Sequence, residues 1–132
     1  MEIEGININD NDLIFVPVGG SNEIGMNMNL YHFSGKWIIV DLGISFGDDT
    51  MPGVDVLVPD PSFIEAQREN LLGIVVTHGH EDHIGAIPYL WERLGCPIFS
   101  TPFTASLIRR KLVEKGIVAV SYTHLRAHET PL

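Results

Sequence analysis

Six consecutive residues, His78-Gly79-His80-Glu81-Asp82-His83, place three imidazoles and two carboxylates directly after the short apolar run Gly73 to Thr77 (GIVVT). No other stretch constrains the fold as much. A β-branched, continuously apolar run of this length reads as a strand covered on both faces, which puts the polar cluster at the strand's C-terminal end. Neutral imidazole is the commonest nitrogen ligand for a borderline-soft divalent cation and carboxylate oxygens complete its shell, so the composition suits zinc or manganese. In extended chain His78 and His80 lie two apart and point the same way, whereas Asp82 and His83 follow a bend and face a second point. One such loop can grip two ions. Two ions about 3.5 to 4 Å apart can stabilise both the attacking and the leaving oxygen of a displacement at phosphorus. Gly79 and Gly85 let the backbone turn sharply and a helix pack close.

The elements around the loop follow from apolar periodicity and turn residues. Leu13 to Val18 (LIFVPV) predicts a buried strand that ends in Gly19-Gly20. Met26, Met28 and Leu30 alternate with Asn27, Asn29 and Tyr31, Ser34-Gly35-Lys36 supplies a turn, and Trp37 to Leu42 (WIIVDL) returns as the second arm of a hairpin. Gly43 to Pro61 is rich in Gly, Pro and Asp and reads as a long excursion, a kind of segment that often carries function. Ser62 caps a helix from about Phe63 to Leu71, with Glu65 placed as in a capping box. After the histidine loop the pattern predicts a helix from about Gly85 to Leu94 and a strand over Pro97 to Ser100. A helix from Thr101 or Thr104 to Lys115 and a strand from Ile117 follow. A hairpin followed by alternating strands and helices predicts an α/β layered fold in which helices cover a mixed sheet.

The chain has 132 residues, 45% of them hydrophobic, enough for one globular domain or for part of a larger one. No run approaches the roughly 18 to 20 apolar residues of a membrane span, and the acidic start MEIEGININDND lacks the basic and apolar regions of a signal peptide. The expected location is cytoplasmic, with no membrane partner. Cys96 is the only cysteine, so no internal disulfide forms, and it reads as a small buried residue before a strand. Eight Lys and Arg against seventeen Asp and Glu give a net charge of −9, the opposite of the basic footprint that grips nucleic acid by its phosphates. Bound divalent cations would reverse that field locally. Arg109-Arg110-Lys111 is the only basic cluster and reads as a solvated helix face.

The HxHxDH pattern at His78 to His83, with Asp41 ending the WIIVDL strand, resembles two motifs of the metallo-β-lactamase superfamily. The resemblance implies a partial αββα sandwich, the first half only, with a mixed sheet covered by helices. It implies that His78 and His80 hold one divalent ion and Asp82 and His83 a second, zinc or alternatively manganese. Asp41 would stand behind the loop and orient it by hydrogen bonds. Gly19 to Asn27 (GGSNEIGMN), Asp41-Leu42-Gly43, Met51-Pro52-Gly53-Val54-Asp55, Pro59-Asp60 and Thr77 to Leu90 (THGHEDHIGAIPYL) are similar to the ribonuclease J family. Its members are nucleases interrupted by a β-CASP domain, and the similarity runs from about Phe15 to Lys115. It implies hydrolysis of RNA phosphodiesters by a metal-activated water, from the 5′ end and internally, with RNA as the partner and a homo-oligomer when full length. The bare HxHxDH also fits glyoxalases and lactonases. Another hydrolase of the superfamily, or a non-catalytic chain with a partial metal site, stands as the alternative.

The GGSNEIG loop lacks the GK[ST] ending and the helix start of a phosphate-binding loop, and reads instead as packing beside the metal centre. A substrate contact from Asn22 or Glu23 is left open. The family also uses a later His, a bridging Asp and a final His. After His83 the only histidines are His124 and His128, both within Val120 to Thr130 (VSYTHLRAHET). That stretch resembles the translation of a transposon-type sequencing adapter. Residues 1–119 are therefore expected to be the N-terminal part of a metallo-β-lactamase domain and 120–132 a non-native tail, with His124 and His128 not counted as ligands.

Overall fold

A computed structural model describes residues 1–20, 25–47, 52–53, 55–117 and 125–127. A small hairpin of β1 (Glu2–Ile3) and β2 (Ile6–Asn7) precedes an antiparallel meander of β3 (Ile14–Gly19), β4 (Met28–Phe33) and β5 (Lys36–Val40). Ser34 and Gly35, both at positive φ, close the β4–β5 turn. A second short hairpin, β6 (Ser45–Phe46) with β7 (Val56–Leu57), occupies the excursion, and α1 (Ser62–Ala66) leads through a 3-10 turn at Arg68–Asn70 into β8 (Leu71–Val75). The histidine loop then enters α2 (Glu81–Ile84) and α3 (Ile87–Leu94), followed by β9 (Ile98–Ser100), α4 (Pro102–Glu114) and β10 (Leu125–Ala127).

The main sheet runs β10-β9-β8-β5-β4-β3, with β5, β8, β9 and β10 mutually parallel. It is the helix-covered mixed sheet that the alternation of elements predicts. Parallel strands deliver their C-terminal ends to one edge, so the segments after β5, β8 and β9 meet there. Among the described residues, no helix is long and apolar enough to cross a membrane.

The core lies on one face of the sheet. Ile87, Leu90, Trp91 and Leu94 recur at helical spacing along α3 and are buried, as are Ala105, Ile108 and Leu112 of α4. They pack with Leu30, Ile39, Ile74 and Ile98 from four strands. Helix ends have local causes. Thr101 Oγ1 accepts from the Thr104 N–H and Pro102 opens α4, while Gly95 at φ 60 closes α3. The Trp91 indole N–H donates to the Cys96 carbonyl at 2.8 Å, fixing the α3–β9 turn.

Several sequence expectations change. The LIFVPV and GIVVT strands are not covered on both faces: β3 is an edge strand with Phe15 exposed, and Leu72 and Val75 of β8 face out. An apolar run reports that a strand resists water but not how many layers cover it. In register, Phe15, Tyr31 and Ile38 lie on the open face beside Val40, Val75 and Phe99. The expected helix to Leu71 breaks into α1 and the 3-10 turn, and Ser62 does not cap it. Instead the Ser62 hydroxyl donates to Asp60 Oδ1 at 2.5 Å, which holds the Asp60 carboxyl below its ordinary range. Asn22, Glu23, Met51, Val54, His124, His128 and residues 118–124, which follow Ile117 in the strand expected there, lie outside the described residues.

Candidate metal centre

Asp41 follows β5 and Thr77-His78 follow β8, so parallel pairing of these strands sets the two segments side by side. The Asp41 N–H continues the ladder by donating to the Val75 carbonyl at 2.8 Å, and the backbone then turns to φ 64. A non-glycine residue at positive φ is costly unless its surroundings compensate, and Asp tolerates it better than most. Here the compensation is threefold. The buried Asp41 carboxylate accepts from the Thr77 N–H, the Thr77 hydroxyl and His83 Nδ1, each at 2.7 Å.

These bonds determine which ring nitrogens face outward. A carboxylate only accepts, so His83 carries its proton on Nδ1 and presents the Nε2 lone pair to the open side. Nε2 lies 3.5 Å from Asp82 Oδ2 and 3.4 Å from Asn27 Nδ2. The Thr77 hydroxyl spends its one proton on Asp41. Toward His78 Nδ1, 3.1 Å away, it can only accept, so His78 also presents Nε2 outward. Support of ligating imidazoles by a carboxylate behind them is the usual arrangement at metal sites.

One donor atom each from His78, Asp82 and His83 lies within 4.8 Å of the others. The trio takes one histidine from the first expected pair and both members of the second. His80, the extended residue just before α2, is not in the trio, but its ring centroid is 4.7 Å from that of His78, and the His78 and His83 ring centroids are 3.8 Å apart. Two imidazole nitrogens and a carboxylate at this spacing fit a divalent cation of the zinc or manganese type, with coordination positions left over. His32 is elsewhere, buried at the far side of the meander with Nδ1 donating to the Asp12 carbonyl at 2.9 Å and its ring against Trp37.

The loop backbone is fastened to the segment after β5. Leu42 N–H donates to His83 O at 2.8 Å, Ile44 N–H to Glu81 O at 3.0 Å, and Ala86 N–H to Leu42 O at 3.0 Å. Asp82 O accepts from both the backbone N–H and the side-chain amide of Asn27, at 3.1 and 2.9 Å. Gly43 sits so close to the Asp82–His83 peptide that a Cβ would overlap it. Thr77, Asn27 and Gly43 are thus part of the site, and residue type and spacing alone did not assign them. The available signal for Asn27 and Gly43 was their place in the GGSNEIGMN and DLG stretches.

Residues 26–126 match the metallo-beta-lactamase superfamily, and the chain belongs to it. Curated proteins with similar sequence include ribonuclease J of Sinorhizobium meliloti, 45% identical over 106 residues, and ribonuclease J 1 of Streptococcus pyogenes, 38% identical over 127. The matches cover 77% and 96% of this chain but only 19% and 23% of those proteins. The Helicobacter pylori ribonuclease J, 43% identical over 101 residues, is matched over 76% of this chain and 15% of its own length. The chain therefore spans about a fifth of these relatives. A solved N-acyl homoserine lactone hydrolase, described with its product at the catalytic metal centre, aligns with a TM-score of 0.48 and 17% identity over 92% of this chain and 61% of that one.

Proposed function

We propose that this chain supplies the metal-gripping part of a ribonuclease that hydrolyses RNA phosphodiesters, both from the 5′ end and internally, in the cytoplasm. The observation that carries the reading is the Asp41–His83 bond, which holds His83 Nε2 outward beside Asp82 and His78. The ribonucleases J that resemble this chain over most of its length supply the substrate class. In this reading His78 and His80 serve one divalent ion and Asp82 and His83 a second, with zinc preferred over manganese. Bound ions would neutralise charge at the scissile phosphate and make a water more acidic. Residues 1–119 form the domain part, and 120–132 are a non-native tail.

The chain's own contribution is orientation. Asp41 and Thr77 fix the tautomers and directions of His83 and His78, and the Leu42–Ile44 backbone sets where Asp82 emerges. The net charge of −9 leaves RNA little to bind here except the metal centre, so phosphate-tracking surface belongs to other parts of such an enzyme. The test is a chimera in which the matched segment of the Sinorhizobium meliloti ribonuclease J is replaced by this chain's. Cleavage of a 5′-monophosphorylated RNA is expected, and loss by at least about a hundredfold when His80→Ala removes a ligand. A chimera that folds, retains two divalent ions and leaves RNA intact overturns the reading.

A further inference from the structure

We infer that Lys111 is a positioning residue for the metal loop, holding it in ligand geometry through an ion pair with Glu81. The inference rests on the metal-site reading above and adds a residue that the ligand motif does not contain.

Glu81 stands between His80 and Asp82, where the loop turns into α2, so its position governs both neighbours. It is held from two sides. Its carbonyl accepts from the Ile44 N–H at 3.0 Å, which ties it to the segment after β5, and from the Gly85 N–H of its own helical turn at 2.8 Å. Its carboxylate accepts from Lys111 Nζ on α4. Gly85 makes the room for this: a Cβ there would stand 2.7 Å from Glu81 Oε2.

Helix α4 meets the loop at a second point. A Cβ on Gly79 would lie 2.7 Å from Leu107 Cδ1 and 3.6 Å from Thr104 Oγ1. Thr104, Leu107 and Lys111 are spaced three and four apart, so they share one face of the helix, and that face follows the loop from Gly79 to Glu81, past His80. The helix is a firm support because Ala105, Ile108 and Leu112 are fully buried in the core. Arg109 and Arg110 are exposed, whereas Lys111 is partly buried against its carboxylate partner. The basic cluster is therefore not one solvated face: its third member is directed at the site.

Sign separates positioning from simple electrostatics. Removing a cation near a metal site should tighten binding of a divalent ion if only charge matters. Loss of a positioning contact should weaken it. The experiment is titration of the whole chain with Co(II), read by its visible d–d absorption, alongside thermal midpoints and amide exchange at His83 without metal. Lys111→Met is expected to weaken Co(II) binding about fivefold, between the small worth of an exposed ion pair and the tenfold or greater loss on removing a direct support of a ligand. It is also expected to speed His83 exchange while leaving the midpoint nearly unchanged. Arg110→Met, with the same charge change, should bind Co(II) as tightly as the parent chain or more tightly. The exchange Glu81→Lys with Lys111→Glu should restore binding to within about twofold, because it re-forms the pair. Binding by Lys111→Met equal to or tighter than the parent's, or no recovery in the exchanged pair, overturns the inference while leaving the metal site standing. A parent chain with no Co(II) spectrum at millimolar metal overturns the site and this inference together.

Discussion

The Asp41 carboxylate accepts three bonds at 2.7 Å from a backbone conformation most residues avoid, so its chemistry rather than its shape should matter. Asp41→Asn tests this, because Asn tolerates positive φ about as well but turns one acceptor into a donor that faces a donor. Co(II) affinity is expected to fall about 10- to 100-fold, with a loss of about 1 to 3 kcal/mol in urea unfolding. Affinity within twofold of the parent would show that Asp41 does not orient His83. Cys96 gives a second residue-scale prediction. Burial pushes its thiol from the ordinary 9.0 up to about 12. The fold thus keeps a proton that the unfolded chain releases. This stabilising contribution is complete below about pH 9 and is lost as pH rises toward 12. Folded chain should leave a thiol reagent unreacted at pH 8, and Cys96→Ala should lose less stability than the parent between pH 9 and 11. Prompt labelling of folded chain would contradict the buried thiol. The candidate ligand cluster was readable in the sequence because it is contiguous. The Asn27 bond to Asp82 spans 55 positions and the Lys111 bond to Glu81 spans 30, and no spacing rule reaches that far.

At the scale of elements, α4 both closes the core and backs the metal loop, so its two faces should respond differently to truncation. Ile108→Ala, at a fully buried position, is expected to cost about 2 to 5 kcal/mol. Phe103→Ala, at a position 74% exposed, should change stability by less than about 0.5 kcal/mol. Equal urea midpoints for the two variants would mean that α4 is not docked as described. This helix was legible in its extent to Lys115, with its start left between Thr101 and Thr104, and the structure places the cap at Thr101. The segment after Ser62 was misread because the Ser62 hydroxyl donates back to Asp60 Oδ1 and does not accept from an N–H of the next turn. The helix expected from Gly85 to Leu94 is α3, beginning two residues later, and it is preceded by a separate helical turn over Glu81 to Ile84 that carries two candidate ligands and was not expected. The positions of β3, β4, β5, β8 and β9 were sound within a residue or two, whereas the short hairpins β1–β2 and β6–β7 were not expected. Strand coverage was misread, because periodicity within one strand does not record which layers lie above and below it.

Taken as a whole molecule, the chain presents one face with a built core and another that displays Phe15, Tyr31, Val75 and Phe99 to water. Exposed apolar patches of this kind favour association. The metal site has the same one-sided character: three donor atoms converge from a single loop, with His80 beside them, and among the described residues no other group of three or more His, Cys, Asp or Glu gathers to hold a metal. Two cations held close repel each other, and few negative ligands here oppose that repulsion. The 132-residue chain, made as it stands, is therefore expected to lose divalent metal on dialysis, to leave 5′-monophosphorylated RNA uncut, and to gain apparent mass as concentration rises. Metal content, cleavage assays and sedimentation velocity measure these outcomes. Two tightly held ions per chain with RNA turnover that disappears in His80→Ala would refute the expectation. Truncation after Ala119 separates the tail from the domain: a foreign tail should leave the thermal midpoint within about 2 °C, less than a 1 kcal/mol loss would shift it in a chain of this size. A larger fall would establish β10, which pairs in parallel with β9, as a working edge strand of the sheet.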